Sequence, residues 1–279
     1  MDSIRDTSTS TTWGEIVPHF TGDTAIECVL SSNQKSLVER LQKLSSIANS
    51  IRESSIRGVR DVVVSPDRVT VVYDPLLIDC IDVLEAGVHA AVTQPQAPSN
   101  GSRLHNMPVR YGGDTGPDFD AVCRSHTIDA KTLIQLHTTP EYLVTAIGFV
   151  PGFPYLQGLP KKLETPRLST PRRRVPAGSV GIGGSQTGVY PFETPGGWHL
   201  IGRTDTRLFD PMRYAPALLQ PGDRVRFHET YDADTAHDHT AATSAECVTP
   251  KDLTILEPGL MTTVQDLGRS GFRSSGVPY

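Results

Sequence analysis

Three consecutive arginines, Arg172, Arg173 and Arg174, stand in a part of the chain where glycine and proline are dense. From Gly148 to Gly202 these two residue types supply 19 of 55 positions. The same segment carries six Lys and Arg side chains against two acidic ones, in a chain whose net charge is −5. Arginine beside backbone N–H groups can hold a carboxylate or a developing oxyanion. We therefore predict a site for a small anionic ligand; the alternative is a solvated arginine loop without a specific ligand.

Further polar side chains in this segment are candidates for chemistry. Glu193 is one of its two acidic residues and is a candidate acid/base group or arginine partner. Gln186 is a second polar candidate. His199 follows Trp198, and in a strand these two side chains would point to opposite faces. One of them would then line a pocket while the other packs.

Several other kinds of site are disfavoured by the sequence. Gly183 and Gly188 have the spacing of a phosphate loop, but Val189 and Tyr190 replace its Lys and Ser/Thr, so a nucleotide would be held in another way. Ser179 follows an incomplete nucleophile-elbow pattern and is better explained as a turn residue. No His, Cys, Asp or Glu cluster has metal-ligand spacing, so we expect no metal site.

The segment rich in glycine must be held by ordered elements. Aromatic residues, Val, Ile and Leu stand between nearly all its turn residues, whereas a flexible linker would lack apolar groups to offset the entropy of ordering. This pattern predicts tightly looped β structure, in which glycine supplies positive φ or lets another group approach the backbone.

Two domains and their linkers follow from periodicity and composition. Residues 13–93 are predicted to form a small two-layer α/β sandwich. Its elements would be a strand over 24–31, a helix from Asn33 capped by Ser31, Ser32 or Asn33, a hairpin over 59–74 and a second helix. Residues 94–106 are expected to form a linker. Residues 107–228 read as a strand from Met107, helices at 119–125 and 129–137, a strand over 142–149 and short closing strands. This order predicts a β barrel.

The two ends of the chain differ from these domains. Residues 1–12 are polar and are expected to be a disordered lead-in, not a secretory signal. Residues 229–251 read as a linker, and 252–279 as the start of another ordered unit too short to bury a core. No apolar run approaches the ~20 residues needed to span a bilayer, and the four cysteines are widely separated. We expect a cytoplasmic protein that binds neither membrane nor nucleic acid.

Long motifs in the barrel segment resemble a known family. They are GFVPGFPYL at 148–156, RVPAGSVGI at 174–182, YPFETPGGWHLIGRT at 190–204, LFDP at 208–211 and LQPGDRV at 219–225. They are similar to the signature of allophanate hydrolase subunit 1, which is also described as the B subunit of the bacterial ATP-dependent 5-oxoprolinase and as a kinase-inhibitor family. The resemblance covers roughly residues 13–228. The segment PGLMTTVQDLGR at 258–269 resembles the opening of the 5-oxoprolinase C subunit, or allophanate hydrolase subunit 2, as in a fused protein.

The resemblance implies an α+β chain whose N-terminal domain precedes a cyclophilin-like β barrel. It also implies a hydrolase subunit, inactive alone, that opens the lactam of 5-oxoproline with ATP, bound here or by a partner, and with no covalently attached cofactor. The implied partners are the 5-oxoprolinase A subunit, the C-subunit domain and a small amide or carboxylate substrate. Two alternatives are a regulatory protein that inhibits a histidine kinase and a carboxyltransferase domain like that of urea carboxylase.

The hypothesis for the pocket joins the residues above with the family motifs. Glu193 and His199 are the candidate catalytic groups. The predicted substrate-binding residues are Phe153, Tyr155, Arg174, Gln186, Trp198 and Arg203.

Overall fold

The computed structural model describes residues 15–31, 36–77, 81–93, 103–213 and 215–231. They form a four-stranded antiparallel sheet with two helices, followed by a closed barrel. The expected lead-in, most of both expected linkers and the segment 252–279 lie outside the described residues. No helix in the described ranges combines the length and apolar character that crossing a membrane would take.

The first unit is a two-layer α/β sandwich, as predicted. Its sheet has the strand order β1-β2-β4-β3, and alternate residues of the strands face a core that is completed by both helices. Its elements are β1 Ile16–Thr21, β2 Ala25–Leu30, α1 Leu37–Glu53, β3 Val59–Val64, β4 Arg68–Tyr73 and α2 Ile81–Thr93.

Two features of this unit differ from the prediction. The edge strand β1 was not predicted, because its alternation is weak; it forms by antiparallel pairing with β2, from Ile16 opposite Leu30. The first helix is capped by Ser36, not by Ser31, Ser32 or Asn33. The Ser36 hydroxyl accepts from the Glu39 N–H at 3.3 Å, and the Glu39 carboxylate accepts from the Ser36 N–H at 2.8 Å. This reciprocal capping box fixes the start of α1.

The second unit is a seven-stranded closed barrel with the order β10-β7-β6-β13-β5-β12-β9, accompanied by a two-stranded ribbon β8–β11. The two predicted short helices are confirmed, and they pack against the barrel wall. Its elements are β5 Leu104–Tyr111, α3 Phe119–His126, α4 Ala130–Thr138, β6 Tyr142–Ile147, β7 Pro154–Gln157, β8 Arg172–Val175, β9 Ser179–Gly183, β10 Gln186–Val189, β11 Thr194–Gly196, β12 His199–Arg203 and β13 Arg224–Glu229.

The last strand closes the barrel by lying between the first two long strands. β13 pairs in parallel with β5, with Arg224 opposite Leu104, and antiparallel with β6. This pairing extends β5 back to Leu104, so the strand begins three residues before the predicted Met107. β6 ends at Ile147, because Phe149 has a φ of +70° and leaves the extended conformation.

His137 has a structural role inside this barrel. Its ring is fully buried and stacks on Phe227 with ring centroids 4.7 Å apart. The Thr187 hydroxyl donates to the Gly181 carbonyl at 2.9 Å, so it accepts from His137 Nε2 at 3.0 Å. Nδ1 therefore accepts from the Tyr111 hydroxyl at 2.8 Å. Burial lowers the pKa of His137 to about 3, so the imidazole is neutral.

Candidate functional site

The outer face of the barrel at β9 and β10 is a strip of glycine backbone. Val180 and Ile182 point into the barrel core, so Gly181 and Gly183 face outward by the alternation of the strand. A Cβ on Gly183 would lie 2.5 Å from the Trp198 indole Nε1. The missing side chains leave the room in which the indole lies flat against the strands.

Trp198 belongs to an aromatic cluster made of Phe153, Tyr155, Tyr190 and Trp198, with Phe153 at its centre. The centroid of the Phe153 ring lies 5.5 Å from that of Trp198, 5.1 Å from that of Tyr155 and 5.1 Å from that of Tyr190. Phe153, Tyr190 and Trp198 are buried, whereas Tyr155 is half-buried. The three aromatic residues predicted to wall a pocket are therefore in mutual contact, and Tyr190 joins them.

Arg167 lies at the exposed edge of this cluster. Its guanidinium carbon is 5.9 Å from the Trp198 ring centroid, within the range of a cation–π contact. Burial raises the pKa values of Tyr155 and Tyr190, and the positive charge of Arg167 opposes the rise at both hydroxyls. No ion pair with a carboxylate is found for Arg167 within the described part of the chain. Arg167 and half-buried Tyr155 form the exposed edge of an otherwise buried aromatic cluster.

The backbone around Arg167 is fixed on both sides, although its side chain is exposed. Thr165 and Gly184 exchange two hydrogen bonds, at 3.1 and 2.7 Å. The Leu168 N–H donates to the Gly197 carbonyl at 2.8 Å. Segment 165–168 is therefore bound to the β9–β10 turn and to the residue that precedes Trp198.

His199 completes the anchoring of this segment. Its Nε2 lies 3.0 Å from the Pro166 carbonyl oxygen. Since a carbonyl only accepts, Nε2 carries the proton and donates. The other ring nitrogen, Nδ1, is buried and has no hydrogen-bond partner among the described residues. The imidazole predicted to be catalytic thus donates its N–H to the backbone carbonyl that precedes Arg167.

A buried carboxylate braces the strands beneath the cluster. One oxygen of Asp118 accepts from the Leu200 N–H at 2.7 Å, and the other accepts from Arg172 Nη2 at 2.5 Å. Arg172 Nη1 also donates to the Trp198 carbonyl at 3.4 Å. The Arg172 guanidinium therefore has a structural role through its contacts with Asp118 and the Trp198 carbonyl.

Arg174 and Glu193 form a bidentate ion pair on the ribbon that covers the cluster. Arg174 Nε and Nη2 lie 2.9 and 3.0 Å from the two carboxylate oxygens of Glu193. The two side chains are 78% and 52% exposed. Val175, the neighbour of Arg174, packs against the aromatic cluster from the opposite side of the ribbon. The predicted pairing of Glu193 with an arginine is found, on the outward side of the ribbon.

The remaining two predicted residues differ in position. Gln186 is half-buried, and because Thr187 points inward to His137, Gln186 shares the outer face with the aromatic cluster. Arg203 lies elsewhere: its charge acts on Asp205, whose carboxylate pairs with Arg110 at 2.6 Å. No hydrogen bond or ring contact within the described ranges joins Arg203 to the cluster.

Three residues of this region were missed by the sequence analysis: Asp118, Arg167 and Tyr190. Tyr190 lies within a quoted motif and has the aromatic character of its neighbours, which is a usable signal. Asp118 and Arg167 belong to the site through contacts with residues 82 and 31 positions away, which no local pattern reveals.

Among the described residues there is no metal site or phosphate loop of standard geometry. No group of three His, Cys, Asp or Glu side chains able to hold a metal occurs in the part of the chain that the structure describes. Gly183 and Gly188 lie in the β9–β10 hairpin, not at a strand-to-helix turn. They therefore lack the helix N-terminus that a phosphate loop presents.

Comparisons with known proteins agree with this architecture. Residues 18–219 match the family model described as carboxyltransferase domain, subdomain C and D. The chain is 42% identical over 217 residues to the B subunit of the 5-oxoprolinase of Escherichia coli O157:H7, covering 75% of this chain and 94% of that protein.

Two solved structures share the fold. The crystal structure of TTHA0988 matches with a TM-score of 0.64 and 32% identity; the match covers 75% of this chain and 40% of that chain. The Kluyveromyces lactis urea carboxylase matches with a TM-score of 0.57 over 77% of this chain and 22% of that chain. At 19% identity this second likeness shows the fold alone.

Proposed function

The chain belongs to the family of 5-oxoprolinase B subunits, and from this membership we propose that it is part of an ATP-dependent hydrolase that opens the lactam of 5-oxoproline to give glutamate. The observation that carries the proposal is the similarity to a 5-oxoprolinase B subunit along 94% of that protein's length. A cyclic amide with a carboxylate also suits the edge of the aromatic cluster, since the ring can pack on half-buried Tyr155 while the anion meets the guanidinium of Arg167.

Within this proposal the outer face at the aromatic cluster is the substrate site. Half-buried Tyr155 supplies the apolar contact surface, Phe153 and Trp198 pack behind it, and Gln186 supplies a side-chain amide for the lactam. The roles of Arg174 and Arg203 in substrate binding stay predictions. So does the proton-transfer role of Glu193, whose two oxygens are shared with Arg174 and must be released before they accept a proton.

Companion proteins complete the enzyme in this proposal. Whether ATP is bound by this chain or by a partner stays a prediction of the resemblance. An exposed apolar side chain next to the cluster supports a covering surface: Phe149 contacts Phe153 edge-on and is 57% exposed. We expect the chain to be inactive alone and to act with the 5-oxoprolinase A subunit and a C-subunit domain.

The test is reconstitution of the complex. The full chain is co-purified with these companion proteins, and loss of 5-oxoproline and formation of glutamate are measured with and without ATP. Turnover that requires both ATP and this chain supports the proposal. No turnover, together with tight binding to a histidine kinase, would favour the regulatory alternative.

A carboxyltransferase reaction is the second candidate, favoured by the description of the family model that matches residues 18–219. It would require a biotin-carrying partner. The same complex is therefore assayed with carboxybiotin and urea, where carboxylation of urea would favour this second reaction over lactam opening.

A further inference from the structure

We propose that Arg167 binds the carboxylate of the substrate and that His199 is the positioning residue that holds Arg167 in place. The inference rests on the proposed function, because it names the ligand group that the site selects. It assigns a carboxylate-binding role to a residue outside the family motifs quoted above, and a non-catalytic role to a histidine within them.

The first step is the position of the cation. Arg167 lies at the rim of the aromatic cluster, 5.9 Å from the centre of the Trp198 ring. Its charge reaches the hydroxyl groups of Tyr155 and Tyr190. A ring packed against half-buried Tyr155, at the edge of the cluster, would carry its carboxylate within reach of this guanidinium.

The second step is the availability of the cation. The neighbouring arginines Arg172 and Arg174 are paired with Asp118 and Glu193. Within the described ranges the Arg167 guanidinium makes no hydrogen bond or ion pair and lies over the aromatic face of Trp198. A guanidinium without a carboxylate partner retains its full capacity for bidentate binding of an anion.

The third step is preorganisation. The backbone on each side of Arg167 is tied down: Thr165 to Gly184, and Leu168 to Gly197. His199 donates to the carbonyl of Pro166, the residue directly before Arg167. A fixed backbone reduces the entropy lost when the side chain closes on its ligand. Fixing the backbone before Arg167 would account for the hydrogen bond from the His199 imidazole to a backbone carbonyl.

The experiment for Arg167 compares two probes, 5-oxoproline and 2-pyrrolidone, which is the same lactam without the carboxylate. Binding of each to the assembled complex is measured by titration calorimetry, and turnover of 5-oxoproline is measured with ATP. In Arg167→Gln we expect the KM and Kd for 5-oxoproline to rise by about tenfold to a hundredfold, and the weaker binding of 2-pyrrolidone to change by less than about twofold. The matched control is Arg124→Gln, an exposed arginine on α3, which should bind both probes like the wild type.

The outcomes separate this inference from the proposed function. An unchanged KM and Kd for 5-oxoproline in Arg167→Gln would overturn it, as would an equal loss for both probes, which would mean that Arg167 only packs on Trp198. A wild-type complex that binds neither probe would overturn it too. A wild-type complex that binds 5-oxoproline more tightly than 2-pyrrolidone but turns over neither contradicts the proposed reaction alone, and the calorimetric comparison of Arg167→Gln still decides the role of Arg167.

The experiment for His199 uses rescue by a donor of similar reach. His199→Ala removes the hydrogen bond to the Pro166 carbonyl and should raise KM several-fold. In His199→Gln the side-chain amide N–H can replace Nε2, so KM should return most of the way to the wild-type value. If both variants instead lose kcat by about a hundredfold or more with KM unchanged, His199 transfers protons as predicted from the sequence, and the positioning role is wrong.

Discussion

Asp118 accepts a 2.7 Å hydrogen bond from the backbone N–H of Leu200, at the point where β12 runs beneath the aromatic cluster. The second oxygen of the same carboxylate pairs with Arg172 on β8. One buried side chain thus joins the start of α3, a barrel strand and the ribbon. Because all three elements carry or cover the site, this carboxylate is a structural requirement for it.

We expect Asp118→Ala to lower the free energy of unfolding by about 2–4 kcal/mol, since it leaves a buried N–H and a partly buried guanidinium without their partner. The measurement is urea denaturation of the full chain. Asp205→Ala is the control, because it breaks the more exposed ion pair with Arg110 and should cost less than about 1 kcal/mol. Equal losses in the two variants would contradict the bracing role.

The buried His137 predicts a loss of stability in mild acid. Burial lowers its pKa to about 3 in the folded chain, against about 6.5 when unfolded, so protonation favours the unfolded chain. The contribution is fully present above pH 6.5 and is lost as the pH falls towards 3. Between pH 7 and pH 5 this group should remove about 2 kcal/mol from the free energy of unfolding.

Urea denaturation at the two pH values checks this expectation. His137→Gln should lack that part of the pH dependence, whereas His228→Gln, at an exposed position of β13, should keep it. If His137→Gln does not fold, the wild-type imidazole is followed by NMR. A ring that becomes protonated near pH 6 in the folded chain would show the interpretation to be wrong.

The glycine strip predicts that a single methyl group is enough to displace Trp198. In Gly183→Ala the new Cβ would lie 2.5 Å from the indole nitrogen, so we expect a loss of about 1–3 kcal/mol and a red shift of tryptophan fluorescence. Trp13→Phe in the background leaves Trp198 as the single tryptophan of the chain. Gly148→Ala is the matched control, because its Cβ meets nothing within 4 Å.

The proton-transfer role predicted for Glu193 can be separated from its ion pair with Arg174. Glu193→Gln should change the free energy of unfolding by less than about 1 kcal/mol, because both partners are largely exposed. If the carboxylate transfers a proton, kcat for 5-oxoproline in the assembled complex should fall by about a hundredfold or more. A variant with wild-type kcat would contradict the proton-transfer role, and the ion pair with Arg174 would remain as the role of Glu193.

Much of the fold could be predicted from local patterns. The spacing of Leu41, Leu44 and Ile47 predicts α1, and the hairpin around Ser65 follows from the valine runs on either side. The edge strand β1 could not be found, because its outer half is exposed and its formation depends on pairing with β2. The strand order of the barrel also depends on long-range pairing.

The candidate site was predicted only in part, because some of its residues meet through long-range contacts. Glycine-rich segments flank Phe153, Tyr155 and Trp198. This pattern indicates packed aromatic side chains, and the structure brings the three rings together. Arg167 has no such local signal, because its importance depends on where segment 165–168 is tied. The sequence drew attention to the arginine triplet, of which Arg172 and Arg174 prove to be engaged in ion pairs.

The position of β13 has a consequence for the newborn chain. A ribosome releases β5 and β6 long before it has made Arg224–Glu229, yet those two strands meet only through that final strand. Until then the wall has a gap one strand wide, and the His137 imidazole lacks Phe227, the β13 ring on which it stacks. Closure must therefore wait for the end of this region to emerge, so this part of the chain exposes an unfinished apolar interior throughout its synthesis.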